Sequence, residues 1–327
     1  MLPDLRVFAL PLKRAFRGVT VREGVLFEGP NGWAEFAPFA DHSDEHAGRW
    51  LTAAIEQAYG EWPALVRHTV PVNAIIPNTD AVTTRQLADE AIASGCTTIK
   101  TKVGNADFDD DVARVAAIRE ALDDAGVEGA IRIDTNQQWT LQQAIDRIAV
   151  LDAIADGLEY VEQPIATSDD LAALRKAVDV RIAIDEGIRL APDPRAAIAA
   201  IRDVADVVIL KSIPLGGVLP ALELAHEARL PVVVSGSLDT SVGLASGLWL
   251  AGALPELPHA CGLGTGALFE HDVVAQPQPI VDGALRVQRI VPDDLDPHGL
   301  VTDGMTEYWR ARFERAWKYA DTKLVTR

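Results

Sequence analysis

Two lysines stand two positions apart in the segment TIKTKVG (98–104), inside a run that otherwise reads as a buried β-strand. Side chains at positions i and i+2 of a strand point to the same face, so the ammonium groups of Lys100 and Lys102 are expected to lie close together. Two like charges in a buried place destabilise the fold unless a nearby group makes use of them. The spacing therefore predicts a chemical task for this pair.

Three acids end three successive strand-like runs: Asp134 in GAIRIDTN, Glu162 in GLEYVEQP and Asp185 in RIAIDEG. At the ends of neighbouring parallel strands their oxygens could converge on one point. Converging carboxylates repel each other and take up protons unless a cation lies between them. A hard divalent cation suits such oxygen ligands, so these acids are predicted to bind Mg²⁺. For any single acid, a capping or surface role is the alternative.

A third lysine, Lys211, ends the run VVILKS and would lie nearly opposite Lys102 in an eight-stranded ring. An amine acts as a general base only when neutral, whereas the pKa of free lysine is about 10.4. A second ammonium and a divalent cation both disfavour protonation, so Lys100 is predicted to tune Lys102 as the base. Proton abstraction next to a carboxylate forms an enediolate that a metal stabilises, and this reaction class fits the residues. The alternative is that the lysines form structural salt bridges with the acids.

A repeat from residue 70 onward supplies the strands that would position these residues. Each unit has a short run rich in β-branched residues, a polar turn and an alanine-rich helical stretch. The eight runs begin at residues 71, 97, 129, 157, 181, 207, 231 and 259. This spacing fits one strand and one crossover helix per unit, which predicts an α/β fold with a closed parallel barrel. An open doubly wound sheet is the alternative, but no glycine-rich phosphate turn follows the first run.

The two ends of the chain differ from this repeat. VREGVLFEGPNGWAEFAP reads as a hairpin, so residues 1–70 are predicted to form an N-terminal capping domain and residues 71–276 the barrel domain. Residues 277–290 read as a strand-turn-strand that returns to the N-terminal sheet, so residues 277–327 are expected to complete the cap. In the tail, one helical stripe is expected to pack on the body or on another subunit; it contains Trp309, Phe313, Ala316, Trp317 and Ala320.

Composition limits the possible partners. The 327-residue chain is 48% hydrophobic with a net charge of −18, which argues against nucleic acid as a partner. No apolar run approaches the roughly 20 residues of a membrane helix, and no secretory signal is recognisable at the N-terminus. Cys96 and Cys261 are expected to be reduced core residues of a cytoplasmic protein. We expect a small-molecule carboxylate as the substrate, no membrane partner, and either a monomer or a homo-oligomer.

These residues together resemble the enolase superfamily, whose members combine a lysine or histidine base with Mg²⁺. KTK on the second strand with a lysine on the sixth resembles the muconate-lactonizing-enzyme subgroup, and the resemblance spans essentially the whole chain. It implies a modified TIM barrel of the (β/α)7β type with a small discontinuous α+β capping domain. It also implies that Lys102 removes the proton and that Lys211 stays charged and stabilises the planar intermediate from the opposite face.

Three further motifs, IRIDTNQQW (131–139), KSIPLGG (211–217) and VVVSGSLDTSVGLA (232–245), resemble one dehydratase family of this subgroup. That resemblance implies dehydration of 2-succinyl-6-hydroxy-2,4-cyclohexadiene-1-carboxylate to 2-succinylbenzoate, a step of menaquinone biosynthesis. Arg132 and Asn136 match positions that orient the acids. The positions that match substrate-binding residues are Ser235, Gly236, Ser237, Gly262 and Leu263. Asp239 replaces the family's usual glutamate, and the cap arginines Arg14 and Arg17 are expected either to screen a second carboxylate or to be solvated.

An isomerase with the same lysine pair is the main alternative, either an N-acylamino acid racemase or a dipeptide epimerase. An acid near residues 262–265 would favour a dipeptide substrate, and GLGT contains none. Muconate cycloisomerisation is a third possibility. The last alternative is a barrel that is not an enzyme and serves only as a structural or binding partner. It gives no function to the acids and lysines at the strand ends.

Overall fold

The computed structural model describes residues 3–16, 18–104, 107–293, 296 and 299–325. It begins with a three-stranded antiparallel sheet of β1 (Arg6–Phe16), β2 (Val19–Gly29) and β3 (Gly32–Phe36), in that order. The β2–β3 turn ends at Gly32, whose φ of 116° suits a residue without a Cβ. The hairpin predicted around GPNG is therefore confirmed. Helix α1 (Asp44–Tyr59) follows and packs on β3.

A seven-stranded parallel sheet forms the centre of the molecule. After the short strand β4 (Thr69–Pro71), its members are β5 (Ala74–Ile76), β6 (Thr98–Lys102), β7 (Ala130–Asp134), β8 (Leu158–Glu162), β9 (Ile182–Ile184), β10 (Val207–Leu210) and β11 (Val232–Val234). The helices that alternate with them are α2 (Ala81–Ala93), α3 (Phe108–Asp124), α4 (Leu141–Ala155), α5 (Ser168–Ala177), α6 (Glu186–Arg189), α7 (Pro194–Ile201), α8 (Val218–Ala228) and α9 (Ser241–Ala253). The strands pair in chain order from β5 to β11, as βαβ units require.

Local signals explain where several of these helices begin and end. Asp80, Thr140 and Thr167 accept backbone N–H bonds at the starts of α2, α4 and α5, as N-cap residues do. Gly95 and Gly157, just beyond α2 and α4, have φ of 88° and 98°. Those values lie in the left-handed region where glycine is favoured.

The eighth predicted run joins the two edges of the sheet through isolated bridges. Gly262 pairs with Ser235 beside β11, and Cys261 pairs with Val72 beside β5, both in parallel. The backbone bonds Gly262 N to Val234 O and Asn73 N to Cys261 O, 2.8 and 2.9 Å, belong to this junction. The predicted barrel-type α/β fold is confirmed, and the open doubly wound alternative is excluded.

The prediction that residues 277–290 complete the N-terminal sheet was wrong. Strand β12 (Ala284–Arg286) pairs antiparallel with β4, in a separate two-stranded sheet. The tight turn at Asp282 and Gly283 returns the chain against Gly95, which brings β12 to β4 rather than to β1–β3. The proposed division of the chain into domains stays a prediction.

The C-terminal helix α10 (Asp303–Trp317) packs on the N-terminal elements. Trp309, Phe313 and Ala316 are buried in one apolar cluster with Phe27 and Phe36 of the first sheet. Phe313 meets both phenylalanine rings edge-on, at centroid distances of 5.7 and 5.4 Å. The predicted stripe thus packs on the body of the chain.

Two smaller expectations concern the cysteines and the membrane. Cys96 and Cys261 are both free and buried, as predicted. No helix within the described residues has the length and apolar character needed to cross a membrane.

Candidate active site

The carboxyl ends of β6, β7 and β8 place the first predicted residues side by side. In the parallel register, Lys102 pairs with Asp134 and Asp134 pairs with Glu162. Asp185 follows β9 directly, and Lys211 follows β10. The residues that were predicted from separate strand ends therefore line one end of the sheet.

Each lysine forms an ion pair with a predicted metal ligand. Lys100 Nζ lies 2.8 Å from Asp134 Oδ2 and 2.5 Å from Glu162 Oε2. Lys102 Nζ lies 2.6 Å from the same Asp134 oxygen, and Lys211 Nζ lies 2.7 Å from Asp185 Oδ2. These contacts are the structural salt bridges that were the alternative to a catalytic role for the lysines. A catalytic role for the same amines stays a prediction.

The three acids affect one another's ionisation. Burial raises the pKa of Glu162 to about 7; the carboxylates of Asp134 and Asp185 act in the same direction, against the ammonium groups of Lys100 and Lys211. For Lys100, burial lowers the pKa, but the neighbouring carboxylates outweigh it and the net direction is upward. Within the described residues, no three acidic, imidazole or thiol groups already lie close enough to coordinate a metal. Convergence of the acids on one ion thus stays a prediction.

Asn136 and Gln163 form hydrogen bonds that hold the acids or the backbone beside them in place. The backbone N–H of Asn136 donates to Asp134 Oδ1 at 3.0 Å, while its side-chain Oδ1 accepts from Lys102 Nζ at 2.6 Å. Gln163 Oε1 accepts from the N–H groups of Asp185 and Gly187, at 3.1 and 3.0 Å. Asn136 was predicted to orient the acids. Gln163 was missed, although it directly follows Glu162 in the VEQP motif.

A second ion-pair set lies beyond Asp185. Arg189 Nε lies 3.0 Å from Asp185 Oδ1, and its Nη2 lies 2.7 Å from Glu186 Oε1. The same Glu186 oxygen accepts from Asn136 Nδ2 at 3.0 Å. Asp185 is therefore held between the Lys211 ammonium and the Arg189 guanidinium. Arg189, which lies one helical turn after Asp185, was missed in the sequence.

Lys102 and Lys211 face one small cavity of about 30 Å³, the room of one or two water molecules. They come from the second and the sixth strands of the sheet, on opposite sides as predicted. Lys100 and Asp134 also line this cavity. The remaining lining residues are Phe16, Phe39, Ile75, Ser235, Gly236, Ser237, Leu238 and Thr265.

Five of these lining residues were missed in the sequence. Phe16 and Phe39 come from the N-terminal elements, and Lys102 Nζ lies 5.9 Å from the centre of the Phe16 ring. Nothing in the spacing around either phenylalanine indicates a contact with the barrel. Ile75 lies within β5, whereas Leu238 and Thr265 lie in the segments that follow β11 and the eighth run, where a closer reading of the eight-unit repeat could have found them.

The predicted substrate-binding residues separate into three groups. Ser235, Gly236 and Ser237 line the cavity with the lysines. Gly262 lies beneath them, where its carbonyl accepts from Gly236 N at 3.0 Å. Leu263 is buried among core residues and lines a different, larger cavity of about 510 Å³.

Two residues named from the sequence, Arg132 and Arg14, have surroundings other than the three acids. Arg132 donates to Glu159, Asn73 and the Ala260 carbonyl, so the structure does not bring it to the three acids. Arg14 is exposed and lines the larger cavity. Arg17 lies outside the described residues.

Comparison with known protein families covers most of the chain. The family model "Enolase C-terminal domain-like" matches residues 83–294, and "Enolase N-terminal domain-like" matches residues 7–58. An o-succinylbenzoate synthase of Thermobifida fusca is 51% identical over 289 residues, 87% of this chain and 87% of the relative. One of Mycolicibacterium smegmatis is 47% identical over 298 residues, 90% of this chain and 88% of the relative.

Solved structures show the same fold at lower identity. The L-Ala-D/L-Glu epimerase of Bacillus subtilis aligns with a TM-score of 0.75 at 20% identity, covering 88% of this chain and 96% of its own. A muconate lactonizing enzyme of Pseudomonas fluorescens aligns with a TM-score of 0.75 at 19% identity, covering 94% and 97%. At these identities the likeness concerns the fold alone.

Proposed function

The chain belongs to the enolase superfamily, and from this premise we propose that it catalyses the Mg²⁺-dependent dehydration of 2-succinyl-6-hydroxy-2,4-cyclohexadiene-1-carboxylate to 2-succinylbenzoate, a step of menaquinone biosynthesis. One observation carries the proposal: two lysines from opposite sides of the barrel face a single cavity beside a buried carboxylate cluster. Relatives at 47–51% identity carry the name o-succinylbenzoate synthase, which supports this substrate over others.

Asp134, Glu162 and Asp185 would hold the magnesium ion. All three are buried oxygen donors at the ends of consecutive strands, and the raised pKa of Glu162 reflects burial and the charges of the other two. Such a set is stabilised by a hard cation, so the residues fit the metal. When bound, Mg²⁺ supplies Lewis-acid stabilisation of the substrate carboxylate as negative charge develops on it.

Lys102 would act as the base and then as the acid. As a neutral amine it takes the proton from the carbon next to the ring carboxylate, and the C–H electron pair passes onto that carboxylate as an enediolate, from which it forms the new ring double bond as the hydroxyl departs. The ammonium thus formed gives that proton to the departing hydroxyl, so the C–O bond breaks and water leaves. Asn136 Oδ1, 2.6 Å from Nζ, holds the amine in place during both transfers.

Lys211 would remain an ammonium throughout. Its place on the opposite side of the cavity lets it stabilise the planar anion from the second face. Lys100, whose pKa is shifted upward overall, would supply the fixed positive charge that favours the neutral form of Lys102.

The Ser235–Ser237 segment would hold the succinyl arm, with Phe16 and Phe39 covering the site. The 30 Å³ cavity admits water but not an aromatic acid, so these two rings must move for the substrate to enter. Closing afterwards excludes water from the base. The N-terminal cap therefore takes part in substrate binding through these two rings.

A racemase of N-acylamino acids or a dipeptide epimerase is the second candidate, because it needs the same lysine pair. The fold likeness to the Bacillus subtilis epimerase is compatible with it. The relatives that are far more similar in sequence carry the synthase name, which does not favour this candidate.

The deciding experiment is an assay of the purified chain with Mg²⁺ and the cyclohexadiene acid. A rise in aromatic absorbance is expected, and it should vanish in Lys102→Ala. No absorbance change, together with deuterium entering N-acylamino acids from heavy water, would instead establish the isomerase. A protein indifferent to both substrates and to Mg²⁺ would be a binding module.

A further inference from the structure

Two acids outside the lysine site meet in the protein interior, one from the cap and one from the barrel. Glu35 belongs to β3, and Asp239 lies two residues after Ser237, before α9. Their side chains are only 1% and 4% exposed. Both contact the same glycine: a Cβ added to Gly243 would lie 2.7 Å from Glu35 Oε2 and 3.1 Å from Asp239 Cβ.

Each carboxyl group has one oxygen that is bound and one that is not. Glu35 Oε2 accepts from the backbone N–H and the hydroxyl of Thr240, at 2.9 and 2.6 Å. Asp239 Oδ2 accepts from the N–H of Ser237 at 2.8 Å. Glu35 Oε1 and Asp239 Oδ1 are buried and have no hydrogen-bond partner among the described residues. Two buried acceptors without a donor are costly unless a proton lies between them.

The charges around the two acids favour the binding of one such proton. Arg22 of β2 is the nearby guanidinium, and it donates to the carbonyls of Leu238 and Ala37 rather than to either acid. The other charged groups that act here are Lys211, which is paired with Asp185, and Glu23, which acts on Arg22. Burial, and then the charge of Asp239, raise the pKa of Glu35 to about 8, and burial raises that of Asp239.

We propose that Glu35 and Asp239 share one proton, with Glu35 Oε1–H donating to Asp239 Oδ1, and that this bridge, which carries one negative charge beside the Arg22 guanidinium, positions the Ser235–Leu238 segment for substrate. Both donors of Thr240 occupy Glu35 Oε2, so a proton held by Glu35 lies on Oε1. Both acids are positioning residues, since neither lines the cavity. That the segment binds substrate rests on the proposed function; the shared proton does not.

The bridge acts on the segment through short contacts. Asp239 holds Ser237 by its N–H, and Arg22 Nε holds the Leu238 carbonyl at 2.9 Å. Gly236 packs directly on the acid, since a Cβ there would lie 3.0 Å from Asp239 Oδ2. Loss of the proton would put two carboxylates face to face and push the cap away from this segment.

The pH dependence has a definite sign. The pKa of Glu35 is 4.5 in a free glutamate and about 8 here. Because the folded state holds the proton more tightly, the stability it contributes is full below pH 4.5 and is lost as pH rises toward 8. Catalysis that depends on the segment should weaken over the alkaline part of the same window.

The test uses the full chain and two single substitutions, Glu35→Gln and Asp239→Asn. An amide can donate across the pair in either variant, so each should replace the shared proton and keep the segment in place. We expect the urea midpoint of the wild type to fall between pH 5 and pH 8, and that of both variants to fall less, because only the share from Glu162, whose pKa is also raised, remains. Glu28→Gln, the same change at an exposed carboxylate of β2, is the control that should keep the wild-type slope.

Three readouts separate the possible outcomes. In the wild type, KM should rise about tenfold toward alkaline pH with kcat changed far less, as for one broken buried hydrogen bond, and Glu35→Gln should remove that rise. At pH 7 the difference spectrum of the wild type minus Glu35→Gln should contain the infrared band of a protonated carboxyl group, since Glu162, whose pKa is about 7, contributes to both proteins. A missing band, or a variant whose pH slope equals that of the wild type, overturns the proposal. Because the band and the unfolding midpoint need no substrate, they remain decisive even if the proposed reaction is wrong.

Discussion

Replacing Lys211 by methionine removes one buried charge from the site while keeping most of the side-chain volume. Breaking a buried ion pair commonly costs about 3–5 kcal/mol, because the remaining charge is left without a partner. Here Asp185 keeps the Arg189 guanidinium at 3.0 Å, so its charge stays compensated. We therefore expect a loss in the free energy of unfolding of only about 1–3 kcal/mol. Lys211→Met should remain folded.

The loss of activity should be much larger than the loss of stability. A single preorganised group that stabilises developing charge contributes about 10²–10³ in kcat. If Lys211 stabilises the anion as proposed, Lys211→Met should lower kcat by at least about 100-fold. Lys102→Met should in addition stop exchange of the substrate α-proton with heavy water, because the base itself is missing. Lys211→Met should keep a slow exchange, since its base is intact.

The assay measures turnover by aromatic absorbance and exchange by deuterium uptake, with the urea midpoint as the test of folding. Lys13→Met, the same change at an exposed lysine of β1, is the matched control and should retain full activity. A folded Lys211→Met with kcat within about threefold of the wild type would refute the proposed role of this ammonium. Persistent exchange of the α-proton in Lys102→Met would refute the role of Lys102 as the base.

Three further predictions concern stability and the metal. Glu159 is hydrogen-bonded to His259 and Arg132, and these contacts lower its pKa to about 2 although burial acts in the opposite direction. The stability that Glu159 contributes, about 3 kcal/mol, is therefore present above pH 4.5 and lost as pH falls toward 2. Glu159→Gln should remove most of this loss on the acid side in urea unfolding. Gly243→Ala should cost about 1–3 kcal/mol by collision with Glu35, whereas Gly266→Ala, with no atom within 4 Å, should be nearly neutral in the same experiment. Chelation should abolish turnover, and Mg²⁺ should raise the thermal midpoint through binding to the folded state; an unchanged midpoint at saturating Mg²⁺ would contradict the metal site.

The strands and the lysine–acid cluster could be predicted because both follow short-range rules. The alternation of side chains along a strand places Lys100 and Lys102 on one face of β6. The regular unit length places Asp134 and Glu162 at matching strand ends. In a parallel barrel, equal positions in successive units become neighbours in space. Local spacing was therefore enough to bring these side chains together.

The parts that escaped prediction depend on contacts between distant segments. Phe16 and Phe39 reach the cavity from the cap, and Glu35 meets Thr240 over 205 residues of sequence. No periodicity encodes such a contact, because it depends on how the cap docks on the barrel. The pairing partner of β12 was predicted wrongly for the same reason. The sequence pattern predicted a strand there correctly, but the return of the chain at Gly283 brings that strand to β4.

Charge balance in the cluster supports a carboxylate substrate. The cluster contains four acids and four cations in mutual ion pairs: Asp134, Glu162, Asp185 and Glu186, with Lys100, Lys102, Lys211 and Arg189. Fully ionised, these groups sum to zero, so a bound divalent cation leaves two positive charges in a buried place. That excess favours the neutral amine that Lys102 needs as a base, and it attracts anions although the whole chain carries a charge of −18.

A neutral Lys102 reduces this excess to one positive charge, because the four acids then face three cations and the metal. The carboxylate next to the reacting carbon would compensate that charge in the cyclohexadiene acid, and the carboxylate of an N-acylamino acid would do so equally. The charge count therefore accounts for a carboxylate substrate, whereas the choice between one carboxylate and two rests on the sequence relatives. It also requires that the substrate bind more tightly with Mg²⁺ present than without it, since the cation creates the charge that the carboxylate neutralises.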